Sequence, residues 1–106
     1  MAVAVDAVSS STVVAAAATT ATHTNLTIGA SLSNGALIFG VQWDPKITVP
    51  TAHWDSTGTN QAMTLLGSIS DTSNSSTVAL FGLRNPTSGN KTFSTSWTTS
   101  AKYIIF

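Results

Sequence analysis

The chain has 106 residues and a formal net charge of zero, and only 8% of its residues are charged, against about 25% in an ordinary soluble domain. It therefore has one domain's worth of sequence and no field that would attract a phosphate backbone or an anionic membrane, so we expect neither nucleic acid nor membrane as a partner. The absence of cysteine excludes disulfides and thiolate metal sites.

Hydroxyl side chains take the polar role that charges usually have. Serine and threonine account for 33 of the 106 residues, there is no glutamate, and strong helix formers are rare. Threonine and valine are β-branched and fit a pleated strand better than a helix. The composition predicts an all-β protein.

The N-terminal fifth of the chain predicts an extended arm. Residues 2–8 alternate, with Val3 and Val5 on one side, and residues 12–20 form a second extended segment rich in alanine. Residues 22–28 alternate again and predict the first strand of the main body. We therefore divide the chain into an N-terminal strand or arm, residues 1–20, and a β-sandwich domain, residues 21–106.

The middle of the chain predicts a central strand. Asn34-Gly35 is a tight-turn signal, because both residues tolerate a positive φ. The nearly continuous apolar run of residues 36–43 predicts a strand covered on both faces, and it ends before Pro45, which cannot donate to a ladder.

Five further strands are predicted beyond that point, separated by turn residues. They comprise short pieces around residues 47–54 and strands at 61–69, 77–83, 91–97 and 102–106. The total of about eight strands indicates an antiparallel β-sandwich or jelly-roll-like fold.

The two ends of the chain are the candidate subunit contacts. The C-terminal segment is wholly apolar, which is unusual for a chain end in water. We expect a partner chain to hold both ends and to cover an incomplete sandwich edge at residue 106. The residues assigned to these contacts are Val3, Val5, Val13, Val14, Tyr103, Ile104, Ile105 and Phe106.

No catalytic or metal-binding pattern is recognisable in the sequence. His23 and His53 have no ligand spacing with Asp44 or Asp55, and the loops 55–60 and 71–75 each offer one carboxylate to a calcium ion. There is no Gly-x-Ser-x-Gly elbow and no phosphate-binding glycine loop. We predict a protein that is not an enzyme and has no cofactor and no metal.

The tryptophans allow two interpretations. Trp43, Trp54 and Trp97 lie on alternating strands, where tryptophan usually fills a core or a subunit interface. The alternative is an exposed, coplanar platform on which a surface glycan stacks. The core or interface interpretation is favoured.

Several segments follow a recurring order of strand motifs. Residues 34–43 read NGALIFGVQW, residues 80–89 read LFGLRNPTSG and residues 91–97 read KTFSTSW, and weaker matches lie at 1–6, 22–24 and 49–64. In this order the chain resembles a β-sandwich domain of phage structural proteins and bacterial surface proteins. It departs from that family in the longer stretch 55–61 and in stopping early, at the strand 103–106.

The resemblance implies a structural role without catalytic residues. Together with the small size, it leads us to expect a non-enzymatic virion protein, specifically a capsid decoration or cement protein. Its expected partners are copies of itself, a major capsid protein or another virion protein. The alternatives are a tail, fibre or extracellular filament subunit, and a carbohydrate-binding or adhesin module. The expected location is the virion or the extracellular space.

Overall fold

A computed structural model of the chain describes residue 8 and residues 12–30, 34–71, 73 and 75–106. The regular structure of these residues is entirely β, as predicted, in a single antiparallel arrangement. The seven strands are β1 (Thr12–Ile28), β2 (Ala36–Asp44), β3 (Ala52–Trp54), β4 (Gln61–Ala62), β5 (Thr64–Asp71), β6 (Ser76–Arg84) and β7 (Gly89–Ile105).

Two 17-residue strands, β1 and β7, pair along almost their full length and connect two layers. The first half of β7 also pairs with β3, whereas residues 102–105 pair with β2. One layer is therefore built on β4, β3 and the first half of β7, and the other on the second half of β7, β2, β6 and β5. Register shifts in β1 after Val14, Ala18 and His23 let the ribbon bend between the layers.

The core lies between the two layers and consists of their alternating inward residues. Phe39 of β2 stacks on Phe93 of β7, with ring centroids 4.3 Å apart, and contacts Trp54 of β3 at 6.1 Å. A second aromatic group joins Trp43, Trp97 and Tyr103 in edge-to-face contacts of 5.7 and 5.6 Å. The period-2 pattern of the strands thus places both aromatic groups on inner faces.

The turn prediction at Asn34-Gly35 is consistent with the geometry there. Asn34 has a φ of 71°, and its amide donates to the Asn85 side chain over 3.0 Å. The Asn85 amide in turn donates to the Gly35 carbonyl over 2.8 Å. These bonds tie the beginning of β2 to the end of β6.

The described part of the predicted N-terminal strand or arm, residues 12–20, is extended and pairs with β7, and β1 continues beyond residue 20. Two other expectations need correction. The last part of β7 lies between β1 and β2 and is not an uncovered edge. β2 is central in its layer, but its outer side is not covered, because Ile38 is 61% exposed. The predicted strand 2–8 lies outside the described residues except for Val8.

Replacing Phe39 by alanine tests the core. Phe39 is 2% exposed and touches rings of the opposite layer, so we expect Phe39→Ala to lower the free energy of unfolding by about 3–5 kcal/mol. The matched control is Ile38→Ala, its neighbour on the outer face, with an expected loss below about 1 kcal/mol. Urea denaturation at low protein concentration measures both; equal losses would contradict the assigned core.

Candidate functional site

The C-terminal residues predicted as subunit contacts divide between the two faces of β7. Tyr103 and Ile105 are buried in this chain's own core, so they are not free for a partner, and that assignment is corrected. Ile104 is half-buried and Phe106 is 51% exposed, both on the opposite face. Side chains alternate between faces along a strand, and this alternation separates the four residues.

Two of the four N-terminal residues of the same prediction, Val13 and Val14, lie within the described residues. The backbone of Val13 pairs with Ile104 and that of Val14 with Tyr103. Both belong to the intrachain sheet. Val3 and Val5 lie outside the described residues.

The three tryptophans are core residues and do not form a platform. Trp43 and Trp54 are fully buried, and Trp97 is 8% exposed. The indole N–H of Trp54 donates to the Thr87 carbonyl over 3.1 Å, which fixes the ring in the core. A glycan needs exposed ring faces, so the sugar-platform alternative is contradicted for these residues.

The histidines and aspartates considered for a metal site are not brought together. His23 points into the core beside Phe39, with ring centroids 5.8 Å apart, whereas His53 is half-buried on the other face of its layer. Asp44 pairs with Lys102, about 27 Å along β7 from Ser94, the partner of His53. Among the described residues no group of three or more histidine, aspartate or glutamate side chains is close enough to hold a metal ion.

Asp55 organises the loop after β3 and is one of the few buried polar residues. Its Oδ2 accepts the Thr59 amide at 2.9 Å and the Thr59 hydroxyl at 2.7 Å, and lies 3.5 Å from Lys91 Nζ. A Cβ at Gly58 would overlap this carboxylate, so the loop requires glycine there. The Oδ2 atom of the Asp55 carboxylate, which the sequence offered to calcium, is thus already bound by donors of its own chain.

The outer face of the larger layer is an exposed apolar surface, and it is the most unusual feature of the molecule. We define this outer face as the outward residues of β5, β6, β2 and the end of β7. Its large side chains include Ile69 at 73% exposure, Leu66 at 57% and Leu80 at 41%. The full apolar set is Ile38, Leu66, Ile69, Val78, Leu80, Ile104 and Phe106.

Glycines make this face flat in the middle. Phe106 lies over Gly40 and Leu66 over Gly82, where a Cβ would overlap the side chain above. Backbone bonds of 2.7 and 2.9 Å between Gly40 and Phe106 continue the β2–β7 ladder to that residue. Gly67 has open space above it. The described face is therefore a shallow surface, and a groove of about 220 Å³ lies beside Gly67, Ile69 and Leu80. That volume is below the usual range for a small-molecule site.

The strand β5 adds an open edge beside this face. It pairs with β6 on one side and with no other strand of the described chain. Residues 64–70 are all exposed, and β5 carries no lysine, arginine or proline. Natural proteins usually protect an edge strand with charged side chains or proline. Because β5 has no basic residue or proline, its unpaired amides and carbonyls are available to pair with another strand.

Comparison with family models, with curated proteins and with solved structures finds no match to this chain. The resemblance to phage and bacterial-surface β-sandwich domains therefore stays a prediction. A search of the described residues for a helix long and apolar enough to cross a membrane also finds none.

Sequence reasoning missed the outer face, although its signal was present. The strands β2 and β6 read ALIFGVQWD and STVALFGLR, apolar at both odd and even positions. Such runs predict cover on both faces. No layer of the described chain packs on the outer side of β2, β5 and β6. The outer apolar residues of these strands therefore form an exposed surface.

Removing the Asp55 charge tests the loop. Hydrogen bonds from the Thr59 hydroxyl and amide, and then the charge of Lys91, hold the pKa of Asp55 below its ordinary value of 3.8. The ionised form therefore stabilises the fold above about pH 4, and this stabilisation is lost as the pH falls through the lowered pKa. We expect Asp55→Asn to have a lower free energy of unfolding at pH 7. We also expect that free energy to fall less steeply at acidic pH than it does in the wild type. Urea unfolding at low protein concentration between pH 2 and 7 measures this, with exposed Asp44→Asn as control. An unchanged pH dependence of stability in Asp55→Asn would contradict the assignment.

Burial of His23 leads us to expect a second pH dependence of stability, at a higher pH than that of Asp55. Burial lowers its pKa from the ordinary 6.5, because the charged imidazolium loses hydration. The unfolded state therefore takes up the proton first, and stability falls as the pH decreases from about 7 through 6.5. We expect His23→Gln to remove this slope, and exposed Thr22→Gln on the same strand to keep it. Thermal unfolding between pH 5 and 8 distinguishes the two, and a slope retained in His23→Gln would count against the assignment.

Proposed function

We propose that this chain is a non-enzymatic structural protein of a virion, most specifically a capsid decoration or cement protein. The observation that supports this most is the outer face with its open edge at β5. A small domain with so few charges exposes an apolar sheet face that no other part of the described chain covers. Faces of this kind mark protein–protein contact sites.

The two parts of this surface have different roles in the proposed contact. The unpaired backbone of β5 supplies direction and register, because an added strand must match its donors and acceptors. The apolar outer face supplies affinity, at about 25 cal/mol for each Å² removed from water. The apolar part of this contact also keeps its strength at high ionic strength.

The partners in this proposal are other copies of the chain and a major capsid protein. The neutral surface disfavours nucleic acid and anionic membranes. The proposed location is the virion surface, outside the cell once particles are released. The role is mechanical, because decoration stabilises a shell by bridging its subunits.

A tail, fibre or filament subunit is the second candidate, and the two edges of the larger layer favour it. β5 forms one edge, and β1 pairs only with β7 within the described chain, which leaves its far side as the other edge. Two different edges at opposite sides suit head-to-tail addition. Electron microscopy of the concentrated protein distinguishes open filaments from discrete oligomers.

Particle binding tests the proposed function. Virus particles purified from the culture that produces the chain should contain it, as detected by mass spectrometry after density-gradient centrifugation. Shells stripped of the chain should rebind the wild type and lose binding to Leu66→Lys, which places a charge beside the β5 edge. Thr22→Lys, exposed on β1, is the matched control. Particles without the chain, or equal binding of both variants, would contradict the proposal.

A further inference from the structure

The outer face has a regular layout that follows from strand register. Along β6 the outward residues are Ser76, Val78, Leu80, Gly82 and Arg84. Neighbouring strands place their outward residues in the same rows: Val78 lies between Ile69 and Gln42, and Leu80 between Gly67 and Gly40. The rows containing Val78, Leu80 and Gly82 carry no charge. Charges occur only in the two outermost rows.

The two ends of the face carry opposite net charges on their outward strand residues. The row of Ser76 contains Asp71 on one side and Asp44 on the other, with Lys102 next to Asp44 at the margin. The opposite row pairs Arg84 with Ala36. One end therefore carries two carboxylates and one ammonium group, and the other end carries a guanidinium.

Lys46 follows the end of β2 and is not one of the outward strand residues that form this face. The next residue, Ile47, exchanges hydrogen bonds with the hydroxyl of Thr77, whose side chain points into the core. The chain thus turns towards the inner side after Asp44. The outward strand residues of the acidic end, two aspartates and one lysine, therefore carry a net negative charge.

Two limiting arrangements bring the faces of two copies together about a two-fold axis. If the axis runs along the strands, Arg84 meets Arg84 and the acidic rows also meet each other. If the axis runs across the strands, β6 lies over the partner's β6 in the opposite direction. Arg84 then lies between the partner's Asp44 and the partner's Asp71, and Ile69 packs near the partner's Leu66. Only the second arrangement matches charges of opposite sign at both ends.

The area of the outer face is large enough for contact with a second copy of the chain. The nine residues from Ser76 to Arg84 span about 27 Å, and the four strands β5, β6, β2 and β7 span about 19 Å. The face thus measures about 500 Å² in each copy, or about 1,000 Å² in a pair, which is the lower limit of a specific interface. An interface of this size gives a dimer that depends on protein concentration.

We propose that the outer face is a self-complementary interface, in which two copies of this chain pack sheet on sheet with antiparallel strands and Arg84 between the partner's Asp44 and the partner's Asp71. This inference deepens the proposed function, since it names the partner of the same surface. It leaves the β5 edge of each copy at the side of the dimer. That edge then remains open for the contact with the shell.

Sedimentation velocity of the full chain over a range of concentrations tests the dimer. We expect the wild type to pass from monomer to dimer, and Ile69→Asp to raise the dissociation constant at least about tenfold, because it places two carboxylates in an apolar contact. Ile69 is 73% exposed, so the variant keeps its fold, which circular dichroism checks. Leu80→Asp is the second disrupting variant, and Thr22→Asp, exposed on β1, is the control.

Charge reversal tests the orientation. Arg84→Glu and Asp44→Lys should each dimerise more weakly than the wild type, by about threefold to tenfold, with the effect shrinking at high salt. A mixture of the two variants should form heterodimers more tightly than either forms homodimers. The reason is that the carboxylate introduced into one copy then faces the ammonium group introduced into the other.

A chain that stays monomeric at millimolar concentration would overturn the inference, as would a dimer unaffected by Ile69→Asp and Leu80→Asp. A mixture no tighter than the single variants would overturn the antiparallel orientation. The proposed function is judged separately by particle binding. A monomer that still decorates shells would refute this interface alone.

Discussion

The structure depends on the ribbon of β1 and β7. This pair contributes to both layers, because the first half of β7 pairs with β3 and its last residues pair with β2. The ribbon therefore sets the distance between the layers, into which Phe39, Phe93 and the tryptophans pack. It also brings the C-terminal strand between two partners, so that Tyr103 and Ile105 stabilise the core.

The same arrangement explains why one side of the molecule remains uncovered. The larger layer has an inner face against β3 and the ribbon, and an outer face with no layer of the described chain above it. A sheet exposed on one side normally carries polar residues there. Here the outer side of β2, β6 and β5 carries isoleucine, leucine, valine and glycine instead. The uncovered apolar side is the physical basis for interpreting the chain as an assembly subunit.

The sequence predicted the fold class well because its signals are local. Alternation, β-branched residues and the Asn34-Gly35 turn depend on a few neighbouring residues, and each is read directly from the chain. Strand pairing is not local: which of the apolar strands lies at an edge depends on contacts between distant segments. For that reason the open edge was expected at Tyr103–Phe106, whereas the described structure places it at β5. Burial of Trp54 is another tertiary property, since its indole bonds a carbonyl 33 residues away.

We infer that the outer face is covered when the protein functions. Carbene footprinting of the chain, free at low concentration and then in its assembled form, measures this cover residue by residue. We expect a marked fall in labelling at Ile38, Ile69 and Leu80, with Thr22 and Thr24 on β1 labelled as before. Equal labelling of the outer face in both states would contradict this inference.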